Sequence, residues 1–160
     1  MSYPIRSTLA FAIGLWSMLA LATPPVCALD GPQAGVFERT NAVRRADHLT
    51  ELQYSEALAA VATAHAEDMA RQGYLDHIDR SGGNPLTRAR AAGISGFHLL
   101  AENIGVSDAT QNRVDAIFDA WLKSPVHRDN LFHPAFNTTG IGFATGRSGQ
   151  TFIVQLFATF

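Results

Sequence analysis

The sequence predicts an α+β domain, a three-layer α-β-α sandwich in which helices cover both faces of a small, mainly antiparallel sheet. Three observations predict it. The C-terminal segment 151–160 is apolar on both faces, with Phe152, Val154, Leu156 and Ala158 on one and Ile153 and Phe157 on the other. A strand with two apolar faces needs cover on both sides. Before it, residues 140–145 form a second strand pattern, joined to the last by the turn-rich Gly146-Arg147-Ser148-Gly149 as a hairpin. Four upstream stretches have helical signals and can supply the cover.

The first helix spans roughly 34–46, with Val36, Thr40 and Val43 on one face and Arg39, Arg44 and Arg45 off it. The second starts at Ser55 as N-cap, repeats Leu58, Val61, Ala62, His65 and Met69 at i, i+3, i+4 spacing, and stops at Gly73. A short third helix has Asn84 as cap, Pro85 as first residue and Gly93 as its end. The fourth places Asp108 and Gln111 in capping-box positions ahead of an apolar stripe of Val114, Ile117, Phe118, Trp121 and Leu122, and Pro125 stops it. Phe118 and Trp121 fit helical core spacing. A short strand is predicted over 99–106.

A chain of 160 residues suits one domain, and 47% hydrophobic against 16% charged residues is too apolar for a disordered tail. The net charge of −2 argues against a nucleic-acid partner or a polybasic membrane patch. A single cysteine, Cys27, leaves no disulfide framework and no thiolate zinc site. The apolar excess gathers at the start. After Arg6 no charge appears until Asp30, and residues 9–22 read LAFAIGLWSMLALA before TPPVCA. This is the pattern of a signal peptide at 1–28, leaving 29–160 as one secreted or periplasmic domain without cysteine. A retained anchor is the alternative, since the uncharged run could span a bilayer, but Pro24 and Pro25 interrupt its far end. The same prolines, followed by Val26, disfavour Cys27 as a lipid-modified residue.

No glycine-rich phosphate loop, HExxH helix or GxSxG elbow occurs. The stretch GRSGQ is a turn whose second glycine comes one residue too early. Histidines and carboxylates are left to carry any chemistry. Of the six histidines, His65 lies on the apolar stripe of the second helix and suits the core, while His48 and His98 suit the surface. His133 precedes Pro134 and can close a local turn. His77, in YLDHID between Asp76 and Asp79, and His127, in SPVHRDNL, stand apart.

The ordered segments AHAEDMA (64–70), YLDH (74–77), AENI (101–104), AWLKSPVHRDNL (120–131), GIGF (140–143) and VQLF (154–157) resemble the CAP superfamily. This superfamily of cysteine-rich secretory, antigen 5 and pathogenesis-related proteins has a branch of short secreted bacterial members. The resemblance runs over roughly 37–159. It implies an α-β-α sandwich with an open cleft, in which many members gather two histidines and two glutamates and some bind zinc or another divalent ion. Carried over by motif, the first histidine falls on His77, the glutamate of the EN motif on Glu102 and the second histidine on His127. The second glutamate, three residues after the helix tryptophan, is replaced here by Ser124. Two imidazoles and one carboxylate could supply three ligands and leave a position for water. Glu102 would then be either ligand or general base, and hardly both.

Asn103 suits a loop-fastening role, and Arg128 and Asn130 could orient a ligand or hold a helix end. Gly140 and Gly142 would allow close backbone approach at a strand beside the cleft. The leading expectation is a monomeric, exported module whose cleft takes a small, lipid or cell-envelope ligand, with a possible divalent metal at His77, Glu102 and His127. Family members connected with sterol or lipid binding imply such ligands. No nucleic acid and no stable membrane span after signal cleavage are expected. The alternatives are a metal-dependent, peptidase-like hydrolase using Glu102, and a non-catalytic protein-interaction module.

Overall fold

Strand β4, Thr151–Thr159, lies inside the sheet and organises everything around it. The computed structural model describes residue 29, residues 31–109 and residues 111–160; the expected signal segment 1–28 lies outside them. In chain order the elements are α1 (Gly31–Ala46), β1 (Gln53–Tyr54), α2 (Glu56–Gln72), α3 (Pro85–Ala91), β2 (Leu99–Ser107), α4 (Arg113–Lys123), α5 (Pro125–Leu131), β3 (Thr138–Thr145) and β4. The sheet order is β1-β3-β4-β2. Both neighbours of β4 run antiparallel to it, and only the two-residue β1 pairs parallel, with β3. This is the predicted sandwich.

The two faces of β4 divide the core as the sequence pattern implies. Phe152, Val154, Leu156 and Ala158 pack with Ile104 of β2 against Leu58, Val61, Ala62, Ala66 and Met69 of α2. Ile153 and Phe157 pack on the other side with Val36 of α1, with Ile117, Phe118 and Trp121 of α4, and with Leu131 and Phe136. Each large side chain buried in this way contributes roughly 1.5–3 kcal/mol of transfer free energy. Gln155 shares the second face and is fully buried; its Nε2 donates to Thr40 Oγ1 and Thr139 Oγ1 at 3.1 and 3.2 Å.

Local signals set the ends of α2 and α3. Ser55 Oγ accepts from Leu58 N, and Gly73 ends α2 in the left-handed conformation at φ 68°. Asn84 and Thr87 cap α3 reciprocally, with Pro85 in its first turn. The hairpin turn closes through Gly146 N to Gln150 O at 2.8 Å.

One expectation is overturned and two are extended. Helix α4 begins at Arg113, after Asn112 at φ 52°, and its N-cap makes no side-chain bond. Asp108 therefore stands before the helix and caps nothing; Ser107 Oγ instead accepts from Ala109 N in this segment. Pro125 ends α4 but also opens α5, because a proline tolerates the first helical position, where its missing N–H is not needed. His127 is thus helical. Gly140 and Gly142 do permit close approach, but to α2: a Cβ on either would strike main-chain atoms at Leu58–Ala59 or Ala62–Thr63.

Candidate functional site

Strand β2 is the edge of the sheet, and its alternating side chains serve two different layers. Leu100, Ile104 and Val106 join the α2 layer, whereas Ala101 joins the α4 layer and Gly105 faces Ile117 and Trp121. Glu102 therefore faces the α2–α3 side and Asn103 the α4–α5 side. The outer edge itself is partly closed by side chains. Trp121 Nε1 donates to Ile104 O at 2.9 Å, and Asn130 Nδ2 approaches Glu102 O at 3.4 Å. Unpaired edge groups are costly when buried, so these contacts also hold α4 and α5 against the strand.

The structure brings His77 and Glu102 together. His77 Nδ1 lies 2.8 Å from Glu102 Oε1, as N–H donor to carboxylate, and the other oxygen, Oε2, accepts from Arg88 Nη2 at 2.7 Å. The Glu102 side chain is 2% exposed and that of His77 47%, so a buried carboxylate braces an accessible imidazole. Arg88 Nη1 also donates to His77 O and Gly83 O, each at 2.9 Å. A buried carboxylate without such partners would be costly.

His127 reaches the same edge from α5. Its ring stacks near Trp121 at 6.4 Å between centroids, and its Nδ1 shares a hydrogen bond of 2.8 Å with Ser124 Oγ. Partial burial, with the neighbouring His77 charge adding to it, lowers the His127 pKa and favours neutral imidazole. Ser124, at the position where fuller family members carry glutamate, thus still contacts the histidine. Asn103 Nδ2 donates to His127 O at 3.0 Å and its Oδ1 accepts from Asn130 Nδ2 at 2.8 Å, so both asparagines fasten α5. Arg128 lies over the Phe132 ring and does not enter this network.

A groove of about 420 Å³ extends from His127 and Ser124 along the strand edge, over Ile104, Val106, Ile117 and Trp121, with Leu75 on its rim. Leu75 and Ile78, on either side of His77, are each 46% exposed, and Val126 beside His127 is 72% exposed. Apolar rims therefore flank both imidazoles.

The remaining candidates have local roles. Asp76 Oδ1 accepts from Ile78 N, and Asp79 Oδ1 accepts from Ser81 and Gly83, which fold the loop after His77. His133 Nδ1 accepts from Ala135 N in a local turn, as expected. His65 is buried, as its stripe position predicts, but it also steadies the cleft, since its Nε2–H donates to Asp76 O at 2.9 Å beside His77. Arg88 and His65 are the site residues that motif spacing missed. A helical arginine and a core histidine carry no signal until their partners are known.

Among the described residues, no group of three or more His, Cys, Asp or Glu side chains is arranged to hold a metal ion. Each Glu102 oxygen already accepts one hydrogen bond, from His77 and from Arg88, and has a lone pair left. A divalent ion at this edge would be held by the imidazoles of His77 and His127, with Glu102 as a third ligand or as an outer carboxylate.

An α-β-α sandwich with histidines at its sheet edge is the arrangement that the resemblance to the CAP superfamily implies. Residues 37–157 match the model of CAP, the cysteine-rich secretory protein family, and the chain belongs to that family. An uncharacterised protein of Bacillus subtilis, YkwD, is 34% identical over 113 residues, which cover 71% of this chain and 42% of that protein. A solved extracellular SCP-domain protein of Bacillus anthracis is 28% identical with a TM-score of 0.73, over 81% of this chain and 41% of that one. An outer surface protein of Borrelia burgdorferi shares the fold, with a TM-score of 0.72 at 20% identity, over 80% of this chain and 92% of that one. The chain spans less than half the length of the curated relatives it matches. No helix among the described residues is long and apolar enough to cross a membrane.

Proposed function

We propose that the chain is an exported binding module whose edge-strand cleft takes a small amphiphilic ligand of the lipid or cell-envelope kind, assisted by a divalent metal. The observation that carries this reading is the way the two imidazoles are held. Each has its Nδ1 engaged within the protein, by Glu102 in one case and Ser124 in the other. His77 donates Nδ1–H to the carboxylate, which leaves its Nε2 lone pair for the cleft, and His127 does the same in the tautomer whose Nδ1–H donates to Ser124 Oγ. A divalent ion held there would supply a Lewis-acidic contact for a polar head group. The protein's own groups bind and orient: Glu102 and Ser124 fix the rings, and the groove from Ile104 to Trp121 accepts an apolar portion. The uncharged N-terminal run and the likeness to an extracellular SCP-domain protein support export.

Hydrolysis is less well supported, because Glu102, the natural general base, has both oxygens occupied by His77 and Arg88. Zinc calorimetry on the wild type against the double variant His77→Ala/His127→Ala tests the metal, and identical titrations overturn it. Incubation with envelope lipid extract should leave unmodified lipid bound after gel filtration. Released hydrolysis products that disappear with chelator would favour a hydrolase instead, and absence of bound lipid would overturn the ligand class.

A further inference from the structure

We infer that Arg88 is a positioning residue of the cleft, one that sets the tautomer and direction of the His77 ring without touching ligand itself. This rests in part on the proposed metal reading, but its geometric basis is independent of it. The Arg88 side chain is only 13% exposed and spans three separate pieces of the site. Its Nη2 holds Glu102 Oε2, while its Nη1 holds the main-chain carbonyls of His77 and Gly83 and lies 3.9 Å from Asp79 Oδ2. Its Nε is buried without a hydrogen-bond partner, so the guanidinium satisfies its terminal nitrogens at the expense of the third. A residue whose only task was to neutralise Glu102 would not need to grip the His77 carbonyl as well.

The consequence follows from two constraints acting on one ring. With Oε2 fixed by Arg88, Glu102 presents Oε1 to His77 and accepts the Nδ1 proton. The His77 main chain is held by the same guanidinium, which keeps the base of the side chain beside the carboxylate that its ring contacts. The Nε2–H tautomer, ordinarily the commoner form of a free neutral imidazole, is thereby disfavoured, and the Nε2 lone pair is kept toward the cleft. A lysine cannot reproduce this, because a single ammonium lacks the planar fork that reaches a carboxylate and two carbonyls together.

The test uses 15N-labelled protein without metal, well above the ordinary imidazole pKa of about 6.5. Long-range 1H–15N spectra of the wild type should show His77 as a single Nδ1–H tautomer, and Arg88→Ala should convert it to a mixture rich in Nε2–H. Arg88→Lys should fall between them, and it carries the test if Arg88→Ala does not fold. Zinc titration of the same proteins should show roughly tenfold weaker binding for Arg88→Ala, in line with the loss of an outer-sphere partner. An unchanged His77 tautomer in the folded variants overturns the inference. If the wild type and His77→Ala bind zinc equally, the metal reading fails while the tautomer still decides the role of Arg88.

Discussion

Asn103 of the edge strand donates from Nδ2 to the main-chain carbonyl of His127 at 3.0 Å, joining β2 to α5 just where the cleft histidine sits. Asn103 is fully buried, and its Oδ1 is also occupied, by Asn130. Replacing it by alanine removes the bonds to the His127 carbonyl and to the Asn130 amide together, and leaves Asn130 only its longer contact with Glu102 O. Asn103→Ala should lose about 2 kcal/mol in urea unfolding and speed hydrogen exchange across α5. Unchanged stability and unchanged α5 protection would show that this bridge holds nothing.

A second anchor of α5 is Arg44, which is fully buried and bonds to main-chain carbonyls in place of a carboxylate. Its Nε donates to Thr50 O, Nη1 to Leu131 O and His133 O, and Nη2 to Phe136 O, at 2.8 to 3.0 Å. Burial lowers its pKa, yet four carbonyls solvate the charge. Arg44→Met removes the charge and strands the Leu131 and Phe136 carbonyls, whose bonds to it are buried. A loss of about 3 kcal/mol or more is expected in urea unfolding, given ~1–3 kcal/mol for each unsatisfied group. A variant within roughly 0.5 kcal/mol of the wild type would mean that water replaces the guanidinium.

The fold was legible because its main determinants are local. The period-two pattern of Phe152 to Ala158 names both layers of the sandwich without reference to any other segment. Of the candidate site, His77, Glu102 and His127 stand in ordered motifs, whereas Arg88 meets Glu102 only through the fold, 14 residues away in sequence. Helix α5 was hidden because Pro125 both ends one helix and starts the next. Strand β1 is two residues long, too short for any periodicity. Gly140 and Gly142 carried a true signal of close approach, but sequence could not say to what.

That close approach makes a sharp prediction. A Cβ at Gly142 would strike the α2 main chain at Ala62 and Thr63, and helix backbone cannot rotate aside as a side chain can. Gly142→Ala should therefore cost at least the upper part of the roughly 1–3 kcal/mol typical of overpacking. Gly105→Ala is the useful comparison, because the first atom it meets is Ile117 Cγ2, a side-chain methyl. Thermal unfolding should rank Gly142→Ala well below Gly105→Ala. The reverse order would show that α2 shifts readily over β3.

His65 should make stability fall in mild acid. Burial is the main cause of its lowered pKa, and the nearby Arg88 charge acts the same way, while Glu102, Asp79 and the Asp76 carbonyl oppose them. An unfolded histidine takes up its proton near about 6.5. The native one does so only at lower pH, so in between the unfolded state binds more protons. Stability is therefore full above about 6.5 and declines as pH falls toward the native value, by at most about 1.4 kcal/mol per pH unit for one group. His127, whose pKa is also lowered, adds a decline of the same sign. His65→Gln keeps a side-chain N–H for the Asp76 carbonyl but cannot titrate. Urea midpoints measured across this window should fall less steeply for His65→Gln than for the wild type. The remaining slope should shrink again when His127→Ala is added. Equal slopes for wild type and His65→Gln would mean that the buried imidazole accepts its proton as easily in the fold as in the unfolded chain.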